Sequence, residues 1–242
     1  MKSPHNLVPV AILTGAIWAT AAASSHAVIL LSQNFDTDPV NYTLPAGSAF
    51  ANGASGTRAY WNLKNSVPAA ELNPNLTGNT TNYLTAQDLD NGLGFTATAP
   101  ARIDFSVNVA GFTNLTLSLD MAGANMAENT NFVRAFTDNN GDGTYETAVF
   151  SFQGGDAGNL PYVNTTGGQT LTTTFQTFGG FALSNPTGSN TLRLRFEVFN
   201  DTASLNENIG MDNIAIDGVP EPTTGLLLLT GLLGMARRRR TS

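Results

Sequence analysis

The sequence contains no cysteine. That excludes disulfide staples, thiolate nucleophiles and metals held by cysteine. Histidine is almost as scarce: the two copies, His5 and His26, both stand ahead of Ala27. A chain that sheds this segment has no Ser-His-Asp or Cys-His machinery and no zinc site built on His or Cys. Carboxylates, tyrosines and Lys64 are then the usual catalytic groups that remain. Charge is thin as well, at 12% of 242 residues. Between Val28 and Gly218, six basic residues stand against seventeen acidic ones, a net of −11. Such a domain repels nucleic acid and favours cations.

Long apolar runs are confined to the two ends. Lys2 precedes the run LVPVAILTGAIWATAAA, from Leu7 to Ala23, and Ser25-His26-Ala27 follows. This is the layout of a secretory signal, with cleavage expected after Ala27. An uncleaved anchor is the alternative, because a run of this length sits at the lower limit of a membrane span. At the other end Gly225 to Ala236 reads GLLLLTGLLGMA. As a helix it is about 18 Å long, against a bilayer core of about 30 Å. It spans only with thinning or with arginines reaching to the interface. Arg237, Arg238, Arg239 and Arg240 hold its far end on the cytoplasmic side, so the preceding domain lies outside. The prolines of Val219-Pro220-Glu221-Pro222 are expected to break the last strand and start an extended linker.

The middle alternates with period 2. Ile103, Phe105, Val107 and Val109 share one face of RIDFSVNV. Leu115, Leu117, Leu119 and Met121 do so in NLTLSLDM, and Leu192, Leu194, Phe196 and Val198 in TLRLRFEVF. Each pattern fits a strand with one buried and one wet face. NFVRAF, TYETAVFSF, TFQTFGGFAL and NIAIDG are further strands, separated by turns rich in Gly, Asn and Asp. No long stretch shows the 3.6 period. The expectation is an all-β chain: a single jelly-roll-like antiparallel β-sandwich over 28–218. A signal helix (1–27) and a C-terminal transmembrane helix (within 219–242) flank it. The segment 46–82, polar and weakly patterned, is expected to form surface loops.

The order of parts at the C-terminus carries a resemblance. Val219-Pro220-Glu221-Pro222, an apolar helix and a terminal arginine cluster resemble the PEP-CTERM sorting signal, from Val219 to Arg240. The resemblance implies a Gram-negative-type bacterium and recognition by an exosortase, a membrane protease. Pro220, Glu221, Pro222 and Arg237 to Arg240 would be the residues read. The tail would be a transient anchor in the inner membrane, removed on the way to the cell surface or the exopolysaccharide matrix. An ordinary permanent anchor is the alternative.

The sharpest local motif in the domain is DNNGDGTYE. Asp138, Asn140, Asp142, Gly143 and Glu146 match positions 1, 3, 5, 6 and 9 of a calcium loop. Position 12 is Val149 instead of a bidentate glutamate, and the flanks read as strands. A plain hairpin turn is the competing reading. A second candidate joins the ends of the domain. NFDTDP and MDNIAIDG resemble the terminal strands of carbohydrate-binding-type jelly-rolls, where acidic residues from first and last strands share a structural calcium. That implies Asp36 with Asp212 as ligands. Asp212 falls in phase with Ile214 and Ile216, so it is expected to point inward. Asp88 and Asp90 read as turn residues, with an acid–base or ligand role as the alternative. Trp61, the one tryptophan left after cleavage, is either a core aromatic or a platform for a sugar ring.

The leading expectation is a non-enzymatic protein of the surface or exopolysaccharide matrix, steadied by calcium. A carbohydrate-binding module is the second reading, and a glycosidase with two carboxylates the third.

Overall fold

The computed structural model describes residues 26–72, 75–124, 128–155, 161–201 and 207–221. Among them the strands in chain order are β1 (Val28–Gln33), β2 (Tyr42–Thr43), β3 (Ala51–Asn52), β4 (Tyr60–Leu63), β5 (Leu84–Gln87), β6 (Ala101–Asn108), β7 (Phe112–Gly123), β8 (Phe132–Asp138), β9 (Thr147–Gln153), β10 (Val163–Asn164), β11 (Gln176–Leu183), β12 (Thr191–Phe199) and β13 (Asn208–Pro220). One short helix, α1 (Leu89–Leu93), follows β5. The strands pair antiparallel into two sheets. The first has the order β11-β7-β13-β5-β4-β3, with β1 also on β13; the second runs β10-β9-β8-β12-β6-β2. β5 and β1 lie end to end along one edge of β13, against 208–211 and 214–218 respectively.

The alternation read from the sequence builds the core. Ile103, Phe105 and Val107 of β6 meet Leu117, Leu119 and Met121 of β7, together with Leu192, Leu194 and Phe196 of β12. Each large side chain removed from water contributes about 1.5–3 kcal/mol. This is the expected antiparallel β-sandwich.

Three local expectations are corrected. The segment 46–82 is not only surface loop. It contains β3 and β4, fully buries Tyr60 and Trp61, and lays Leu76, next to Tyr83 just beyond the segment, over Ala122 on the outer face of the first sheet. Asp212 does not share the face of Ile214 and Ile216. It pairs directly with Asp120, while Met211 pairs with Met121 in the core. The register shifts after Asp212, and Asn213 takes φ 49°. That bulge inserts one residue and reverses the phase, so Asp212 faces outward. Finally, Pro220 does not break the last strand. It pairs with Phe112, and Glu221 donates its N–H to the Gly111 carbonyl at 2.8 Å. By alternation the N–H that Pro220 lacks would face the other way, past Gly218 where pairing with β1 ends. No ladder bond is lost there.

Residues 1–25 of the expected signal helix, and the expected C-terminal transmembrane helix with Pro222, Arg237, Arg238, Arg239 and Arg240, lie outside the described residues. Among the described residues no helix is long and apolar enough to cross a membrane.

Candidate functional site

The β8–β9 turn gathers three of the four expected ligands. Asp138, Asp142 and Glu146 each offer a carboxylate oxygen, and these oxygens lie within 4.8 Å of one another. Asp138 ends β8 fully buried. It accepts N–H bonds from Gly141 (2.7 Å) and Gly143 (2.9 Å), and Arg193 lies 3.3 Å away. Asn140 is turned toward Asp142, donating its amide to that carboxylate at 2.9 Å. The Thr144 N–H, with help from Asn140, holds the Asp142 carboxyl below its usual range. The donors are all hard oxygens, as calcium requires. Gly143, at φ 92°, supplies the left-handed backbone that closes the turn.

The turn is continuous with a ladder of charges on the outer face of the second sheet. Across β6, β12 and β8, Asp104, Arg195 and Phe136 form one row; Arg102, Glu197 and Arg134 form the next. Glu197 receives Arg102 at 3.0 Å and Arg134 at 2.8 Å. Arg195 grips Asp104 through two 2.7 Å bonds. Its guanidinium also lies 4.0 Å over the Tyr145 ring, and Arg134 lies 4.0 Å over Phe132. Burial, with the Asp104 charge beside it, pushes the Tyr145 hydroxyl up to about 12. Four of the six basic residues between Val28 and Gly218 thus converge on one sheet face, planar and pre-ordered. The alternation of TLRLRFEVF placed Arg193, Arg195 and Glu197 on the wet face; it could not show that their partners come from β6 and β8.

The Asp36 and Asp212 expectation finds both residues in one neighbourhood, with a third acid that sequence reasoning missed. Asp120, opposite Asp212, accepts bonds from Thr177 (2.6 Å) and Asn213 (2.7 Å). Asp212 accepts from Asn79 at 2.6 Å, and Asp36 accepts the Asn82 N–H at 2.7 Å. A cleft of about 230 Å³ opens over Asp120, Asp212 and Asn79. Burial, and after it the charges of Asp36 and Asp120, push Asp212 up to about 6. The three carboxylates do not reach the mutual closeness seen at the β8–β9 turn.

Trp61 is corrected as a sugar platform. It is fully buried, donates its indole N–H to the Ser48 carbonyl at 3.0 Å and packs edge-on to Phe50. No ring face is left for a ligand. Asp88 holds the turn before α1 at φ 48° and is itself buried.

A family model of the PEP-CTERM protein-sorting motif matches residues 218–240. Its first residues are therefore the last residues of β13. No curated protein matches the chain. Among solved structures, it is similar to the K3 cleaved adhesin domain of Lys-gingipain from Porphyromonas gingivalis W83, at 13% identity and a TM-score of 0.47, over 79% of this chain and 99% of that one. It is also similar to the CBM22-1 xylan-binding domain of Paenibacillus barcinonensis Xyn10C, at 11% identity and a TM-score of 0.41, over 83% and 100%. At these identities the likeness is one of fold alone.

Proposed function

We propose that this chain is an exosortase substrate of the cell surface or exopolysaccharide matrix, and that its sandwich works by binding rather than by catalysis. The observation that carries the reading is the sorting motif at 218–240, fused in register to the last strand of the sandwich. On this reading the motif is the address, and the domain upstream of it is what gets delivered. On that domain, the Arg–carboxylate ladder with Tyr145 offers fixed donors and acceptors plus an aromatic edge, a surface suited to polysaccharide hydroxyls and carboxylates. Its acids are engaged by arginines, which disfavours the free acid–base pair a glycosidase needs. Calcium would be held at the β8–β9 turn by Asp138, Asp142 and Glu146, tying that turn to the ladder through Asp138 and Arg193.

The test is fractionation of cells making the full chain with and without an exosortase. Release of a product lacking Arg240 is expected only with the protease. Replacing Arg237 to Arg240 with serine should weaken retention before processing. The released protein should bind the producer's polysaccharide, and Arg195→Ala with Tyr145→Ala should reduce that binding. Wild-type protein that stays in the membrane with Arg240 attached, exosortase present, refutes the sorting reading. Polysaccharide binding that survives both ladder substitutions refutes the assigned face.

A further inference from the structure

The sorting motif begins inside the fold. Its first residues, Gly218, Val219 and Pro220, are the last of β13. Val219 pairs with Thr113 and Pro220 with Phe112. Glu221 closes the run through its N–H bond to the Gly111 carbonyl at 2.8 Å. The Thr113 hydroxyl donates to the Val219 carbonyl at 3.4 Å. Val219 and Pro220 are half-buried, and Glu221 is exposed.

These rungs form a tip unlike the rest of the sheet. On one side, the pairing of β13 with β1 ends at Gly218. On the other, the pairing of β7 with β11 ends at Leu115. Past those points only two strands run together, and a ribbon of two strands is marginally stable in water. A bulge sets the tip further apart. Asp217 pairs with Thr116 and Val219 with Thr113, so one residue of β13 stands against two of β7. Asn114, one of those two, is exposed and takes φ 49°. A bulge interrupts the ladder, so the tip can open without disturbing the core pairs behind it. Gly218 lies at the break, where an added Cβ would meet Leu30 and Leu115 at 2.8 and 2.9 Å. The chain is therefore packed tightly up to Gly218 and held on one side only after it.

A protease takes the segment beside its cut as an extended strand and bonds the N–H and C=O groups of that strand. In the closed tip the Val219 carbonyl and the Glu221 N–H are already engaged by β7 and Gly111. The same groups cannot serve both partners. We infer that the tip is a latch on release: residues 219–221 must peel from Gly111, Phe112 and Thr113 before an exosortase engages the start of the motif. This rests on the sorting reading and deepens it, because the folded domain then sets the rate of its own release. Two rungs open; the sandwich stays closed.

The experiment follows release by pulse labelling in cells that make the full chain and an exosortase, with the product's C-terminus read by mass spectrometry. The chain has no cysteine of its own. Thr113→Cys with Val219→Cys therefore puts a single disulfide across the tip, in the oxidising compartment outside the inner membrane. Pro220, Glu221 and Pro222 stay intact. The oxidised chain, identified by alkylation, should not be released until a reductant is added. Thr113→Pro is the converse. By alternation from the bond between Glu221 and Gly111, the Thr113 N–H faces the Val219 carbonyl. Proline removes that N–H and the hydroxyl, and leaves the motif and the tether length unchanged. Release should quicken about tenfold, the effect of losing one or two hydrogen bonds. An oxidised chain released at the wild-type rate overturns the latch, and so does a Thr113→Pro chain released no faster than wild type. If the disulfide does not form or the locked chain does not fold, Thr113→Pro decides alone. Wild type kept in the membrane with Arg240 attached overturns the sorting reading and the latch with it; wild type released, with the variants no different, overturns the latch alone.

Discussion

Strand β8 carries an acidic site at each of its ends, and the two are built in opposite ways. At one end, Asp138 opens the turn DNNGDGTYE, whose carboxylates are sequence neighbours, mostly exposed, and held by the turn's own amides. At the other, Asn131 enters a buried network whose members come from chain positions 88, 131, 162, 200 and 207. About 20 Å of strand separates them. The first site is an affair of local backbone geometry, and solvent screens its charges. The second exists only once both sheets have closed, and its charges act through protein. Substitutions should therefore be mild at the turn and severe at the network.

The largest effect is expected for Asn131→Ala. It removes the 2.7 Å bond to Glu207, which is buried, and the acceptor for the Asp201 N–H, which is partly buried. Leaving such groups unpaired costs about 3 kcal/mol. For a domain of this size that lowers Tm by about 6–12 °C. Thermal unfolding checks it; a loss no greater than that of an exposed-turn variant would erase the contrast between the ends.

Next comes pH dependence. Folding raises Glu207 from its ordinary 4.5 to about 8. The folded state therefore keeps a proton that the unfolded state releases. Stability contributed by this group is greatest below about pH 4.5, falls as pH rises toward 8, and levels off beyond. The slope from one proton is at most about 1.4 kcal/mol per pH unit. Glu128, Asp201, Asp88 and the Asn131 amide are the groups that face it. Asp212, raised to about 6, adds a similar decline that ends nearer pH 6. Denaturant unfolding with a chelator present should show the decline. Glu207→Gln should flatten it between pH 6 and 8 and leave the Asp212 part. A wild-type curve that is flat above pH 6 would rule out the raised pKa of the buried Glu207 carboxyl.

How far each site was legible follows from the same contrast. DNNGDGTYE could be read because its alternate oxygens are contiguous, and the structure brings Asp138, Asp142 and Glu146 together. The strands with a wet face were legible for a similar reason, as in β6 and β12. β5 was not: Leu84, Thr85, Ala86 and Gln87 are all buried, so no alternation marks them. Asp212 was placed on the wrong face because a bulge is invisible to a period-2 count. Pro220 was assigned to a linker because the missing N–H was weighed without knowing which side of the strand it would face. Glu207 carried no signal at all, since its neighbours are remote in sequence and nothing near it repeats.

A smaller effect tests the turn directly. Gly143→Ala meets nothing within 4 Å, so its cost is the left-handed backbone alone. That is about 1 kcal/mol, read as a Tm lower by about 2–4 °C. A larger loss would mean that the turn is more tightly built than its exposure implies.

The smallest effect is expected for Asp142→Asn in chelator, and it is the sharpest test of the comparison. Asp142 is exposed and accepts bonds from the Thr144 N–H and the Asn140 amide. An asparagine keeps an acceptor for Thr144, so the turn persists and Tm should show no resolvable change. Calcium should separate the two proteins. Wild type gains stability from any ion held in the folded state alone, and the variant loses one carboxylate of the three that approach within 4.8 Å. A gap in Tm that appears only with calcium assigns an ion to the turn. Equal calcium shifts in both proteins mean that DNNGDGTYE is a hairpin turn and nothing more.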